Sequence, residues 1–280
     1  MKDFKLTQAI STAEKIVQDE NLVLPIDVFS IAEQENIHIQ PKPDSIAGVS
    51  GMLLRYREQF TIIYATHIKN EGFQRFSIAH ELGHYFLPSH PDNIFRDGKK
   101  IHESHAGFTS SNQIEKEADH FAAGLLMPKK LIIKEVGKCK DGLSSIEHLS
   151  KVCKTSLISS AIRYSEITDA AVAVIVSSDN VVEYCFCSST IRQFKGFQYL
   201  KRGAFIPKPS FTYIFKMNQV STEQERQKQC STDLMHWFHT DNEIEATEEV
   251  VCLGNYGKIL TILTTDYEED TEEEWKPPAF

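Results

Sequence analysis

His80-Glu81-Leu82-Gly83-His84 constrains this chain more than any other stretch, because two histidines at this spacing can act on one ion when the segment is helical. On a helix they stand one turn apart on the same face, and their ring nitrogens can converge on a single metal. Glu81 points toward the same cavity, where its carboxylate can take a proton from water at the metal, which is a hydrolase in outline. With His80 as origin on a wheel of about 100° per residue, Phe73, Phe76, His84 and Leu87 fall within roughly 40° of it. Ile78, Leu82, Tyr85 and Phe86 crowd the far side. A helix apolar on both faces is buried, so the histidines are expected in a walled cavity.

Catalytic zinc takes three protein ligands and keeps one position for water, so the pair needs a partner from elsewhere. Residues 114–128 supply the candidates. Ile114, Ala118, Phe121, Ala122, Leu125 and Leu126 repeat at helical spacing, and Pro128 closes the run. With the apolar face centred near Ala118, Phe121 and Leu125, Glu115 lies about 60° from the centre and Glu117 about 100° off on the opposite edge. Glu115 is therefore the expected third ligand. Asp119, one turn beyond on the same flank, is the expected acceptor that orients a metal-bound histidine through its other ring nitrogen. The small Ala118 and Ala122 leave room for two helices to approach around an ion.

The strands and turns around the motif are legible from alternation and breakers. Helices are expected from about Thr7 to Glu20 and Asp27 to Glu35, and strands over 37–40, 48–54 and 60–64, forming a small antiparallel sheet ahead of the motif helix. Gly48 to Leu54 is the expected sheet edge, since its glycines let a substrate backbone come close and add as a strand. From Ser89 to Gln113 the chain reads as a long functional loop carrying His102 and His105. Either could donate to the oxyanion of a tetrahedral intermediate, and His105 is the one chosen here.

Arg75 to Leu87 and Glu115 to Pro128 resemble the two signatures of the ImmA/IrrE metallopeptidases, bacterial zinc-dependent proteins with a thermolysin-like core. The resemblance extends over roughly residues 5–165 in organisation. It implies that His80, His84 and Glu115 bind zinc, that Glu81 is the general base, and that the substrate is a helix-turn-helix transcriptional repressor cut by limited proteolysis. The basic loop Arg96-Asp97-Gly98-Lys99-Lys100 departs from the family pattern.

Downstream, 143–153 and 156–165 read as a helical pair loosely like a helix-turn-helix, without the basic stripe that DNA contact requires. Strands are expected over 171–176, 181–186, 213–217, 250–253 and 259–263, with a hairpin turn at Asp179-Asn180. The expected organisation is a metallopeptidase domain over 1–142, the helical pair over 143–168, a β-rich domain over 169–267 and an acidic tail over 268–280. The fold class is α+β, a thermolysin-like zincin core with a small antiparallel sheet and active-site helices followed by those C-terminal parts.

A net charge of −9 over 280 residues argues against direct nucleic-acid binding through a phosphate-neutralising surface. No apolar run approaches the length of a membrane span, and the first residues lack the apolar stretch of a secretory signal, so a cytoplasmic location is expected. The six cysteines form no CxxC pair. In a reducing compartment they are expected to be buried small hydrophobes, without a disulfide framework. The function expected is zinc-dependent endopeptidase activity on a protein substrate. The competing class is a non-catalytic metal-containing regulator that binds a repressor or DNA, which would have no use for Glu81 beside an open coordination position.

Overall fold

The structure, a computed structural model, describes residues 2–42, 48–105, 112–217, 227–253 and 257–268. Its internal contacts divide the chain into two units, Met1–Lys140 with Ser144–Arg163, and Asp141–Leu143 with Tyr164–Phe280. Both mix helix with sheet or are dominated by sheet, and the class is α+β. No helix among the described residues is long and apolar enough to cross a membrane.

The first unit opens with α1 (Lys2–Asp19) and α2 (Val28–Gln34), followed by β1 (His38–Pro41), β2 (Val49–Tyr56) and β3 (Gln59–Tyr64). Then come α3 (Glu71–Phe86), α4 (His90–Ile94), β4 (Ile101–His105), α5 (Gln113–Leu126), α6 (Lys129–Val136), α7 (Leu143–Cys153) and α8 (Leu157–Ile167), the last shared with the second unit. The motif helix α3 starts where the Asn70 side chain accepts from Phe73 N at 3.0 Å. It stops at Leu87, forced into extended backbone by Pro88. Asn112 caps α5 in the same way, accepting from Ile114 N at 3.1 Å.

The sheet runs β1-β3-β2-β4, antiparallel across β3, β2 and β4, with β1 added in parallel beside β3. Two expectations are corrected here. The 48–54 stretch is not an edge, because β2 is hydrogen-bonded on both sides, to β3 and to β4. The 89–113 stretch is not all loop either: it contains α4 and β4, and among the described residues β4 pairs only with β2, so β4 is the edge strand on the β2 side of the sheet. The alternation His102, Ser104 was too short and too polar to register as a strand, and its partner β2 lies about fifty residues upstream. A bulge at Ser50 shifts the β2–β4 register, and the Ser50 hydroxyl donates to Ser104 O at 3.0 Å. Such bulges re-aim neighbouring side chains.

Helices α3 and α5 cross closely because Gly83, inside the motif, leaves room for α5. A Cβ on Gly83 would lie 3.2 Å from Ala118 Cα and 3.1 Å from the Phe121 ring. Ala118, Phe121, Ala122 and Leu125 are fully buried there, and α1 lies along α5 through its buried stripe Ala9, Ala13 and Val17. In α8, Arg163 is buried and donates to Met127 O at 3.0 Å and to Glu14 at 2.7 Å.

The second unit is a five-stranded antiparallel sheet, β6-β5-β9-β8-β7, built from β5 (Ala171–Ser178), β6 (Val181–Cys187), β7 (Gln227–Asp233), β8 (Glu245–Leu253) and β9 (Lys258–Thr265). Asp179 and Asn180 both take positive φ in the β5–β6 turn, as a tight two-residue hairpin demands. The expected strand over 213–217 is instead a helix, α9 (Phe211–Met217). A short apolar run such as Tyr213-Ile214-Phe215 fits either period. What decides it is Glu248 of β8, fully buried, which accepts from Thr212 N at 2.7 Å, Thr212 Oγ1 at 2.6 Å and Phe211 N at 3.1 Å. The acidic stretch expected over 268–280 lies, apart from Glu268, outside the described residues.

Candidate metal centre

Helical spacing on α3 brings His80 Nε2 and His84 Nε2 within 3.1 Å of each other. Helix α5 crosses so that Glu115, one turn before Ala118, covers their open side. Its Oε2 is 3.3 Å from His80 Nε2 and its Oε1 3.5 Å from His84 Nε2. These three residues form the group of possible metal ligands found among the described residues, with ligand atoms all within 4.8 Å of one another. His84 is fully buried and His80 nearly so.

Each of the two histidines has a second contact that aims its ring. Asp119 Oδ1 lies 2.9 Å from His80 Nδ1, which places the His80 hydrogen on Nδ1 and leaves the Nε2 lone pair facing His84. His84 Nδ1 meets His90 Nδ1 at 3.2 Å, and His90 Nε2 meets Glu117 Oε2 at 3.1 Å. His102, on β4, puts Nε2 3.1 Å from Glu115 Oε1, off the direction of a hydrogen bond, so both buried atoms are left without a hydrogen-bond partner. Two imidazole lone pairs turned toward one another beside a carboxylate repel unless a proton or a cation sits among them. The donor set therefore fits a metal ion.

The titration of these groups shows the same conflict. Burial works against charge on both rings of the pair. At His80 the Asp119 and Glu115 carboxylates outweigh burial and raise the pKa, whereas at His84 burial prevails and lowers it. Burial pushes Glu115 up, but the His102, His80 and His84 rings hold it far below the usual carboxylate range.

Glu81 is fully buried, and neither carboxylate oxygen has a hydrogen-bond partner. Burial raises its pKa, against the pull of His80 and Ser104. An unpaired buried carboxylate is costly, and its place is held open by a glycine. A Cβ on Gly51 would sit 2.6 Å from Glu81 Oε1. Because Glu81 Oε1 is the far end of a side chain, Gly51→Ala should fold but displace the carboxylate. A misplacement of about 1 Å at a reacting group costs on the order of 100-fold. We expect Gly51→Ala to lower kcat/KM for peptide cleavage by about that factor while metal content stays at the wild-type level. Cleavage within twofold of wild type would contradict this placement of Glu81.

Of the two β4 histidines, His102 lies at the centre and His105 does not. His105 is exposed at the strand end, paired through its backbone with Val49, and no hydrogen bond joins it to the ligand group among the described residues. His90, Glu117, Ser104 and Gly51 were not legible as site residues. His90 follows a break at Pro88-Ser89 and belongs to no helical period with the motif, and Gly51 and Ser104 reach Glu81 through strand pairing that spacing does not encode.

A family model described as the IrrE N-terminal-like domain, Peptidase_M78, matches residues 32–158, which include every residue named above at the centre. No curated protein matches the chain. Among solved structures, a Mycobacterium tuberculosis transcriptional regulator is similar in fold, with a TM-score of 0.58 at 11% identity, covering 92% of this chain and 76% of that one.

Proposed function

Residues 32–158 belong to the IrrE N-terminal-like family of metallopeptidase type, and from that premise we propose that this protein is a zinc-dependent endopeptidase. Its substrate in this reading is a protein, cut at a limited number of bonds, and specifically a helix-turn-helix transcriptional repressor. The observation that carries the reading is the spacing of the donors. Zinc bonded tetrahedrally at about 2.0–2.1 Å holds its ligand atoms about 3.3 Å apart. The nearest-atom separations here are 3.1, 3.3 and 3.5 Å.

His80, His84 and Glu115 would hold the ion, which supplies Lewis acidity and lowers the pKa of water in contact with it. The remaining work falls to the chain. Glu81, buried and unpaired beside the ligands, accepts the proton from the attacking water and returns it to the leaving amine. The free edge of β4 offers main-chain donors and acceptors to an extended substrate, which takes over the role expected of the 48–54 stretch. We assign the donor to the developing oxyanion to His102 in place of His105, because its buried Nε2 has no hydrogen-bond partner and lies beside Glu115. A purely structural metal site fills its coordination positions and leaves no base beside it, which disfavours the non-catalytic regulator.

The test is to incubate the purified protein with repressors encoded beside its gene, with zinc and with chelator. A discrete fragment that forms with zinc and disappears with chelator supports the proposal. A fragment that persists under chelation, or no fragment from any neighbouring repressor, counts against it.

A further inference from the structure

His90 and Glu117 stand outside the ligand set and the base, yet His90 is buried and Glu117 is partly buried. His90 is 2% exposed, and the Glu117 side chain is 12% exposed. The backbone is bent to bring His90 there. After α3 ends, Ser89 adopts φ +66°, a left-handed conformation that is strained for a non-glycine residue. His90, the first residue of α4, is thereby turned back under His84, with ring centroids 5.3 Å apart.

The hydrogen positions along this chain of contacts follow from its far end. A carboxylate only accepts, so the His90 hydrogen lies on Nε2 and is donated to Glu117 Oε2 across 3.1 Å. The neutral ring then presents a lone pair at Nδ1. The atom facing it at 3.2 Å is His84 Nδ1, which must donate. His84 Nε2 is left with its lone pair directed at His80 Nε2 and Glu115, the tautomer a metal requires. Asp119 does the same for His80 in one step, through a direct contact of 2.9 Å. For His84 the carboxylate acts through an intervening imidazole.

We propose that His90 and Glu117 are positioning residues that fix the tautomer and ring orientation of His84, so that part of the metal affinity of the centre resides in a His84–His90–Glu117 relay. This rests on the reading of His80, His84 and Glu115 as metal ligands. Loss of the relay acts first on how tightly the ion is held.

The experiment is zinc competition against a chromophoric chelator for wild type, His90→Phe, His90→Gln, Glu117→Gln and His84→Ala. Removal of such an orienting contact weakens metal binding by about 10- to 100-fold, and that is the loss expected in His90→Phe. A glutamine amide can accept from His84 Nδ1 through its oxygen and donate to Glu117 through its nitrogen, so His90→Gln should recover most of the affinity. Glu117→Gln should lie between. Rescue by the amide but not by the ring is what a merely space-filling role would not produce. If the Phe ring compromises folding, Glu117→Gln, which keeps its shape, carries the decision. Wild-type affinity in both His90→Phe and Glu117→Gln, with zinc lost in His84→Ala, would overturn the relay and leave the ligand assignment standing. Equal zinc affinity in His84→Ala and wild type would overturn both.

Discussion

Glu81→Gln should abolish peptide cleavage while leaving the metal in place. The amide keeps the shape of the side chain and cannot accept the proton, and loss of a general base costs about 10²–10⁴-fold in rate. We expect kcat/KM to fall by about 10²–10⁴-fold, with metal content per chain equal to that of wild type. The same substitution should raise the stability of the metal-free protein, because both Glu81 oxygens are buried without a hydrogen-bond partner. The pH dependence follows from the raised pKa of Glu81. Its folded value exceeds its unfolded value, so the folded state binds the extra proton, and the stability this group allows is fully present below the unfolded value. That stability is lost as pH rises from the ordinary glutamate range toward the folded pKa. The thermal midpoint of Glu81→Gln should therefore exceed that of wild type by a margin that widens with pH across that interval. Full cleavage activity in Glu81→Gln would remove Glu81 from the mechanism, and a margin that narrows with pH would contradict its unpaired burial.

Loss of the third ligand should be as severe and should differ in kind. In Glu115→Ala the carboxylate that closes the His80–His84 pair is gone, and the affinity for zinc should fall by more than the roughly 10- to 100-fold expected for a supporting residue. Cleavage should disappear with it. Because these three residues come from α3 and α5, an ion held by them would bind the folded protein alone, and at about 1,000 times its Kd it would add about 4 kcal/mol of stability. For a domain of this size that corresponds to a shift in Tm on the order of 10 °C on chelation. Differential scanning calorimetry with and without chelator should show the shift in wild type and none in Glu115→Ala. A chelator-sensitive Tm in Glu115→Ala would place the ion elsewhere.

What could be read before the structure is what helical periodicity encodes. His80, Glu81 and His84 share a helix, and Glu115 and Asp119 share the flank of another, so a wheel brings them together once the two helices touch. Ala118 and Ala122 were visible as a reason for that touch, whereas the part played by Gly83 emerged only from the 3.2 Å that a Cβ there would leave to Ala118 Cα. Other parts of the centre depend on relations between distant segments. Strand β4 is defined by its pairing with β2, and the position of Ser104 opposite Gly51 follows from the bulge at Ser50. His90 arrives through a left-handed residue at Ser89, which is not a glycine and so gave no signal of positive φ. Glu117 sits where the wheel put an outer flank, and it is partly buried because α4 covers that flank with His90. In the second unit, α9 was misread as a strand because the residue that caps it, Glu248, lies more than thirty positions away in β8.

Anomalous scattering at the zinc absorption edge from crystals of the zinc-loaded protein tests the central claim most directly. One peak enclosed by His80 Nε2, His84 Nε2 and the Glu115 carboxylate, with the Glu81 carboxylate beside it, is the expected result. Absence of a peak among these three side chains, or a peak held by another set of residues, would contradict it.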